Sequence, residues 1–155
     1  MGTPSSFSNF QAAMSMMNHL YFNPVIGALV RHGVPDHLDN GPLSASNLAQ
    51  LAGMDALSLT RALRALATFG TFQEVSPGVF ANKPVSNLFR NRPGGLRNIA
   101  LYYSSDHFLK SAAALGHGVV TGQSATTHVP GQSFWEQMRQ HPEENETFNR
   151  GLADR

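Results

Sequence analysis

The side chains best able to move protons or hold a metal in this chain are seven histidines and ten carboxylates, and their spacing limits what they can do. His19, His32, His37, His107, His117, His128 and His141 show no close metal-ligand spacing. The nearest pair on one predicted helix, His107 and His117, lies ten residues apart. That is nearly three turns, too far to chelate one ion from a straight helix. Asp106 beside His107 has more to offer, because a carboxylate next to an imidazole can tune an acid or a base. Neighbouring helical residues point about 100° apart, so the two are not expected to touch. Most of the histidines read as surface or capping residues. Cysteine is absent, which excludes disulfides, thiolate metal sites and a reactive thiol.

Composition sets the frame for these groups. A length of 155 residues suits one domain with a proper core. A charged fraction of 14% is low, and together with many Met, Phe and Leu it suggests apolar surface covered by a partner. The net charge of +1 neither supports nor excludes nucleic acid. No apolar run approaches the roughly 20 residues of a membrane span. Residues 1–8 lack a basic segment followed by an apolar one, so a cytoplasmic protein without a signal peptide is expected.

The elements that must position the chemistry are mostly helices. Phe7, Phe10, Met14, Met17 and Tyr21 recur at alternating spacings of three and four, which is one stripe of a helix. The stripe fits either an ordinary core face or a face shared with a second subunit. Pro24 is expected to open a second helix that Gly33 ends. Ser44 caps a short helix whose Leu48 and Leu51 are expected to face inward. Asp55 or Ser58 caps the next, in which Leu59, Leu63 and Leu66 form the apolar stripe. Residues 72–75 and 79–81 flank Ser76-Pro77-Gly78 and predict a hairpin. Helix, turn, helix, hairpin is the winged-helix order. After it come helices over 84–89, 96–103 and 106–120, the last with Asp106 as its cap. A polar loop over 121–132 leads to a helix capped by Ser133 and to a final helix opened by Pro142.

In that order the chain resembles the N-terminal region of the plant-type, or caffeic-acid-type, small-molecule O-methyltransferases. Residues 33–38 (GVPDHL) resemble the family's GIPDxL, and 48–53 (LAQLAG) with 59–66 (LTRALRAL) resemble its LA…TG…LxRLLRxL. Residues 70–74 (GTFQE) resemble the GxFxE that enters the wing, and 84–89 (PVSNLF) its LTPxSxLL. Phe134-Trp135-Glu136, Pro142-Glu143 and Phe148-Asn149 resemble FWxYL…P…FNxAM, with Gly151-Leu152 where relatives usually show Ala-Met.

The resemblance implies a mainly α fold, winged-helix-like with a small β-hairpin wing. It implies an N-terminal helix swapped or intertwined in a homodimer, making Phe7, Phe10, Met14, Met17 and Tyr21 a shared core. The whole of residues 1–155 reads as one dimerisation domain, with a winged-helix core at about 43–90 and C-terminal helices over 96–155. In the family, S-adenosylmethionine (SAM) and the catalytic His belong to a later Rossmann-like domain. No Gly-rich strand–turn–helix is seen here: Gly94-Gly95 follows a proline loop and Gly116-His117-Gly118 sits in a helical context. The chain is therefore expected to hold no cofactor and no metal, and to be incompetent for methyl transfer alone. His107, Phe108, Trp135 and Phe148 are expected near the substrate pocket wall, with His107, Asp106 and Tyr103 as candidate catalytic groups. Between residues 56 and 97 six basic side chains accompany one acid, but the would-be recognition helix offers only Arg61 and Arg64, so nucleic acid is not expected. Three functions remain: a homodimerisation and substrate-lid module, a stand-alone natural-product pathway protein, or one subunit of a split methyltransferase. The second would bind a hydrophobic aromatic or polyketide-like ligand between subunits and perform a cofactor-free cyclisation or isomerisation.

Overall fold

The computed structural model describes residues 6–128 and 133–154, with the side chains of 6, 7 and 18–20 outside the description. Among the described residues the fold is mainly helical with one small antiparallel sheet. It opens with α1 (Ser6–Arg31), α2 (Val34–His37), β1 (Leu43–Ser44), α3 (Ala45–Ala52) and α4 (Ala56–Thr68). The hairpin strands β2 (Phe72–Ser76) and β3 (Val79–Asn82) and the short α5 (Pro84–Asn87) follow. Six helices complete it: α6 (Arg97–Tyr103), α7 (Asp106–Ala113), α8 (Leu115–Thr121), α9 (Ala125–His128), α10 (Phe134–Gln140) and α11 (Pro142–Ala153).

Local chemistry explains the boundaries. The Ser44 hydroxyl accepts the Asn47 N–H at 3.2 Å, and the Asp55 carboxylate accepts the Ser58 N–H at 2.8 Å, so each side chain satisfies an orphan donor of a first helical turn. Ser133 and Glu136 form a reciprocal capping box at the start of α10. Leu48 on α3 and Leu59, Leu63 and Leu66 on α4 are fully buried against Leu29, Val34, Phe72 and Phe80. Burying side chains of this size contributes roughly 1.5–3 kcal/mol each.

Several expectations need correction. Pro24 does not open a second helix; it lies inside the single α1. Its ring is exposed, and the residues around it, Phe22, Val25, Ile26 and Leu29, are held against the core, which outweighs one missing backbone hydrogen bond. Leu51 is 57% exposed, because an eight-residue helix presents one stripe here and Ala45, Leu48, Ala49 and Ala52 occupy it. The predicted helix over 106–120 divides at Ala114 into α7 and α8, and Ser105, not Asp106, caps it. Residues 125–128, assigned to a loop, form α9. Strand β1, also unforeseen, pairs with β3 to give the order β1-β3-β2.

One acid holds the hairpin to α4. Glu74 on β2 receives Arg64 Nη2 at 2.7 Å and Nε at 2.9 Å, and its Oε1 also accepts the Gly78 N–H of the turn at 2.7 Å. Chiefly through the Arg64 bond, then through Gly78, its carboxyl is held at about 2 against an ordinary 4.5. A lowered carboxyl pKa adds stability above the unfolded value and loses it as pH falls towards the folded one. Melting temperature should therefore fall more steeply between pH 4.5 and 2 in the wild type than in Glu74→Gln. Circular dichroism melts across that window check this, and parallel curves for the two proteins would refute it. Two more of the six basic side chains are similarly engaged, Arg90 with Asp39 and Arg97 with Asp36.

Candidate functional site

The C-terminal helices meet through three local devices. The Ser105 hydroxyl accepts the Phe108 N–H at 3.2 Å and donates to Glu144 of α11, so one side chain caps α7 and ties it to the last helix. Asn98 of α6 donates to Asp154 at 2.8 Å. Two glycines let α6 be approached closely. A Cβ on Gly27 of α1 would lie 2.1 Å from Ser104 Cβ, and one on Gly151 of α11 would lie 3.1 Å from the Ile99 backbone nitrogen. Gly151 is thus where α11 rests on α6.

These contacts bring together a chain of aromatic rings. Tyr103 stacks on Phe108 at 4.5 Å, and Tyr102 meets Phe108 at 5.5 Å and Phe148 at 5.0 Å. Phe148 then meets Phe134 at 5.3 Å, and Phe134 meets Trp135 at 5.0 Å. Beside the rings lies a cavity of about 170 Å³. Its floor is one face of α7, formed by His107, Phe108, Ser111 and Ala112, and Tyr102, Ala125, Thr126 and Phe134 are among its walls. Among the described residues no Asp, Glu, Lys or Arg lines it.

Two polar groups of this cavity are idle, while the Thr126 hydroxyl pairs with that of Ser124 at 2.7 Å. The Ser111 hydroxyl is buried without a hydrogen-bond partner among the described residues. His107 is 9% exposed, and its ring has no hydrogen-bond partner among the described residues. An unsatisfied buried hydroxyl costs about 1–3 kcal/mol. Ser111→Ala should therefore raise the unfolding free energy by about 1 kcal/mol in urea titrations, and a loss of stability would contradict this account.

A larger cleft of about 410 Å³ adjoins it, lined by Arg31, Arg97, Ser105, Asp106, Glu143 and Glu144 among others. Tyr102 belongs to both spaces. Its phenol is pushed up to about 12, first by burial and then by the Glu144 charge and Tyr103, so it stays neutral.

The candidates named from sequence divide between these spaces. His107 and Phe108 line the cavity, Asp106 lies exposed in the polar cleft, and Tyr103 and Phe148 back the cavity through ring contacts. Trp135 is not a cavity wall: it is 67% exposed, and Phe134, about 100° away around the helix, takes that place. Tyr102 and Phe134 were missed, and each sits directly before an aromatic that was chosen. His117 and His128, far apart in sequence, stack at 3.7 Å and 11°, and His117 Nε2 is buried without a partner among the described residues. Among the described residues no three His, Asp or Glu side chains converge on one point.

Of the N-terminal stripe, Phe7 lies outside the described side chains. Phe10, Met17 and Tyr21 are 64%, 63% and 67% exposed and Met14 is 38% exposed, so one copy of the chain leaves this face of α1 uncovered.

Residues 14–92 match the model of the O-methyltransferase dimerisation domain. The chain belongs to this family. A phenazine O-methyltransferase (PhzM) of Lysobacter antibioticus is 32% identical over 122 residues, 78% of this chain and 36% of that protein. A mitomycin biosynthesis 6-O-methyltransferase of Streptomyces lavendulae is 31% identical over 130 residues, 83% of this chain and 37% of that protein. The solved mitomycin 7-O-methyltransferase MmcR superposes with a TM-score of 0.86 at 27% identity, covering 99% of this chain and 46% of that one. The chain thus spans little more than a third of the curated relatives it matches. Other solved methyltransferases of the same fold carry SAM or S-adenosylhomocysteine. Among the described residues no helix is long and apolar enough to cross a membrane.

Proposed function

We propose that this chain is the homodimerisation and substrate-lid module of a secondary-metabolite O-methyltransferase, pairing two copies through the N-terminal half of α1. The observation that carries the reading is the uncovered stripe of Phe10, Met14, Met17 and Tyr21, which Met16 widens at 75% exposure. The lower half of α1 is anchored on the core, but residues 8–17 are almost wholly exposed. Several turns of helix without tertiary support are marginal in water. A second copy laid along the same stripe supplies that support, in an interface that is apolar at its centre.

Val119 and Val120 on α8, 87% and 85% exposed, give a second apolar surface. That surface suits an intertwined pair better than one joined at a single seam. Helices α3 and α4 with the β2–β3 hairpin form the winged-helix core at about 43–90, and the helices over 96–155 carry the cavity and the cleft. In this reading the core is a scaffold for pairing, the C-terminal helices are the lid over substrate, and SAM binds outside this chain. Sedimentation velocity at micromolar concentration tests the proposal. A species of twice the chain mass is expected, and a monomer with native circular dichroism would refute it.

A further inference from the structure

The structure assigns to the stacked pair His117 and His128 the role of a proton-controlled latch on α8. The stack holds α8, with its exposed Val119 and Val120, against α9 while at most one ring is charged, and releases it when both are. The latch lies within one copy of the chain, so the inference goes beyond the pairing of subunits and stands independently of it.

Helix α8 has little else to hold it. Its seven residues include Gly116 and Gly118 and the β-branched Val119, Val120 and Thr121, all weak helix formers. No side chain caps its start and none of its residues is buried, so neither local preference nor a core face secures so short a helix. Leu115 reaches the cavity edge but stays 60% exposed. The specific anchor is a ring contact. The chain reverses at Gly122 (φ 74°), and α9 returns to lay His128 on His117 with centroids 3.7 Å apart and planes 11° from parallel.

That contact tolerates one proton and not two. Histidine is the side chain whose charge ordinarily changes between about pH 8 and 5. Neither ring has a hydrogen-bond partner among the described residues, and His117 Nε2 is buried, so a proton there makes a buried cation with no acceptor. His128 is exposed and can carry the first proton in water. The second then places two like charges 3.7 Å apart. No acid nearby compensates them, because residues 107–135 contain no Asp or Glu. On α7, which packs against both α8 and α9, the titratable groups are Asp106 at its far end, His107 and the cation Lys110. Across the cavity α10 adds Arg139 and Glu136, whose carboxylate is engaged by Ser133. The closed latch binds fewer protons than the open one, so it is favoured at neutral pH and lost as pH falls.

Nuclear magnetic resonance of the full chain at about pH 7.5 and about pH 5 tests the latch. The readouts are the contact between the two imidazole rings and the helical Cα shifts of residues 116–121, with those of α4 as the internal reference. At the lower pH the ring contact should vanish and the α8 helical shifts should fall by about half or more, while α4 is unchanged. His128→Phe keeps a ring on His117 that cannot be charged, so α8 should stay helical at both values. His128→Ala removes the stack and should leave α8 frayed even at neutral pH. Both substitutions fall on an exposed position, away from the core. Unchanged α8 shifts in the wild type, a pH response that survives in His128→Phe, or an α8 indifferent to His128→Ala would each overturn the assignment.

Discussion

Met14→Glu is expected to convert the dimer into monomer, with aggregation at higher concentration. Met14 lies mid-stripe between Phe10 and Met17, and at 38% exposure it is less exposed than either. Covering the 38% of this side chain that one copy leaves exposed is worth about 0.8 kcal/mol. A two-fold interface contains the change twice, so about 1.5 kcal/mol of apolar burial is lost and the dissociation constant rises at least about tenfold. The buried carboxylate adds to this. Sedimentation equilibrium over a wide concentration range measures it. Met14→Leu, which keeps volume and apolarity, should remain a dimer. If Met14→Glu dimerises as the wild type does, the stripe on α1 is not the seam.

Gly27→Ala should destabilise the fold by about 2–3 kcal/mol, although alanine is the better helix former by about 1 kcal/mol. The added methyl would sit 1.9 Å from Ser104 Oγ and 2.1 Å from its Cβ, and rotating the hydroxyl away cannot relieve the second contact. Helices α1 and α6 must then separate. The double variant Gly27→Ala, Ser104→Gly removes both obstructing atoms and leaves Ala100 O as the next neighbour at 3.6 Å, ordinary contact. It should recover most of the loss, apart from the cost of a new glycine at the end of α6. Chemical denaturation of the wild type, both single variants and the double variant completes the cycle. Additive losses would show that the crossing is not the cause. Gly151→Ala should act in the same direction and less strongly, because its closest neighbours are the flexible end of Ile99.

What could be read from sequence was what is decided locally. Ser44, Asp55 and Ser133 cap their helices because each bonds an N–H three residues on, within reach of any chain that turns there. The stripe Leu59, Leu63, Leu66 and the Pro-Gly hairpin were legible for the same reason. Strand β1 was not, since two residues carry no alternation and its partner Phe80 is distant in the chain. Ser105 and Asp106 are both good caps, and the residue that takes the extended cap backbone is Ser105, whose hydroxyl also meets the Glu144 carboxylate brought near by folding. Register explains the exchange of Trp135 for Phe134, because a helix of seven residues is too short for a stripe to name its inward face. The His117–His128 stack and the unpartnered Ser111 are wholly tertiary, and no spacing announces them.

Helix α6 is held without slack, by α1 at Gly27 and by α11 at Gly151. At Gly27 an added methyl would meet Ser104 Cβ at 2.1 Å, and at Gly151 it would meet the end of Ile99 at 2.8 Å. In the proposed pairing, the helix that carries the seam is thus the one seated on α6 at Gly27, and α6 is in turn the helix on which α11 rests at Gly151, so the seam and the last helix are joined through two glycine contacts on one intermediary.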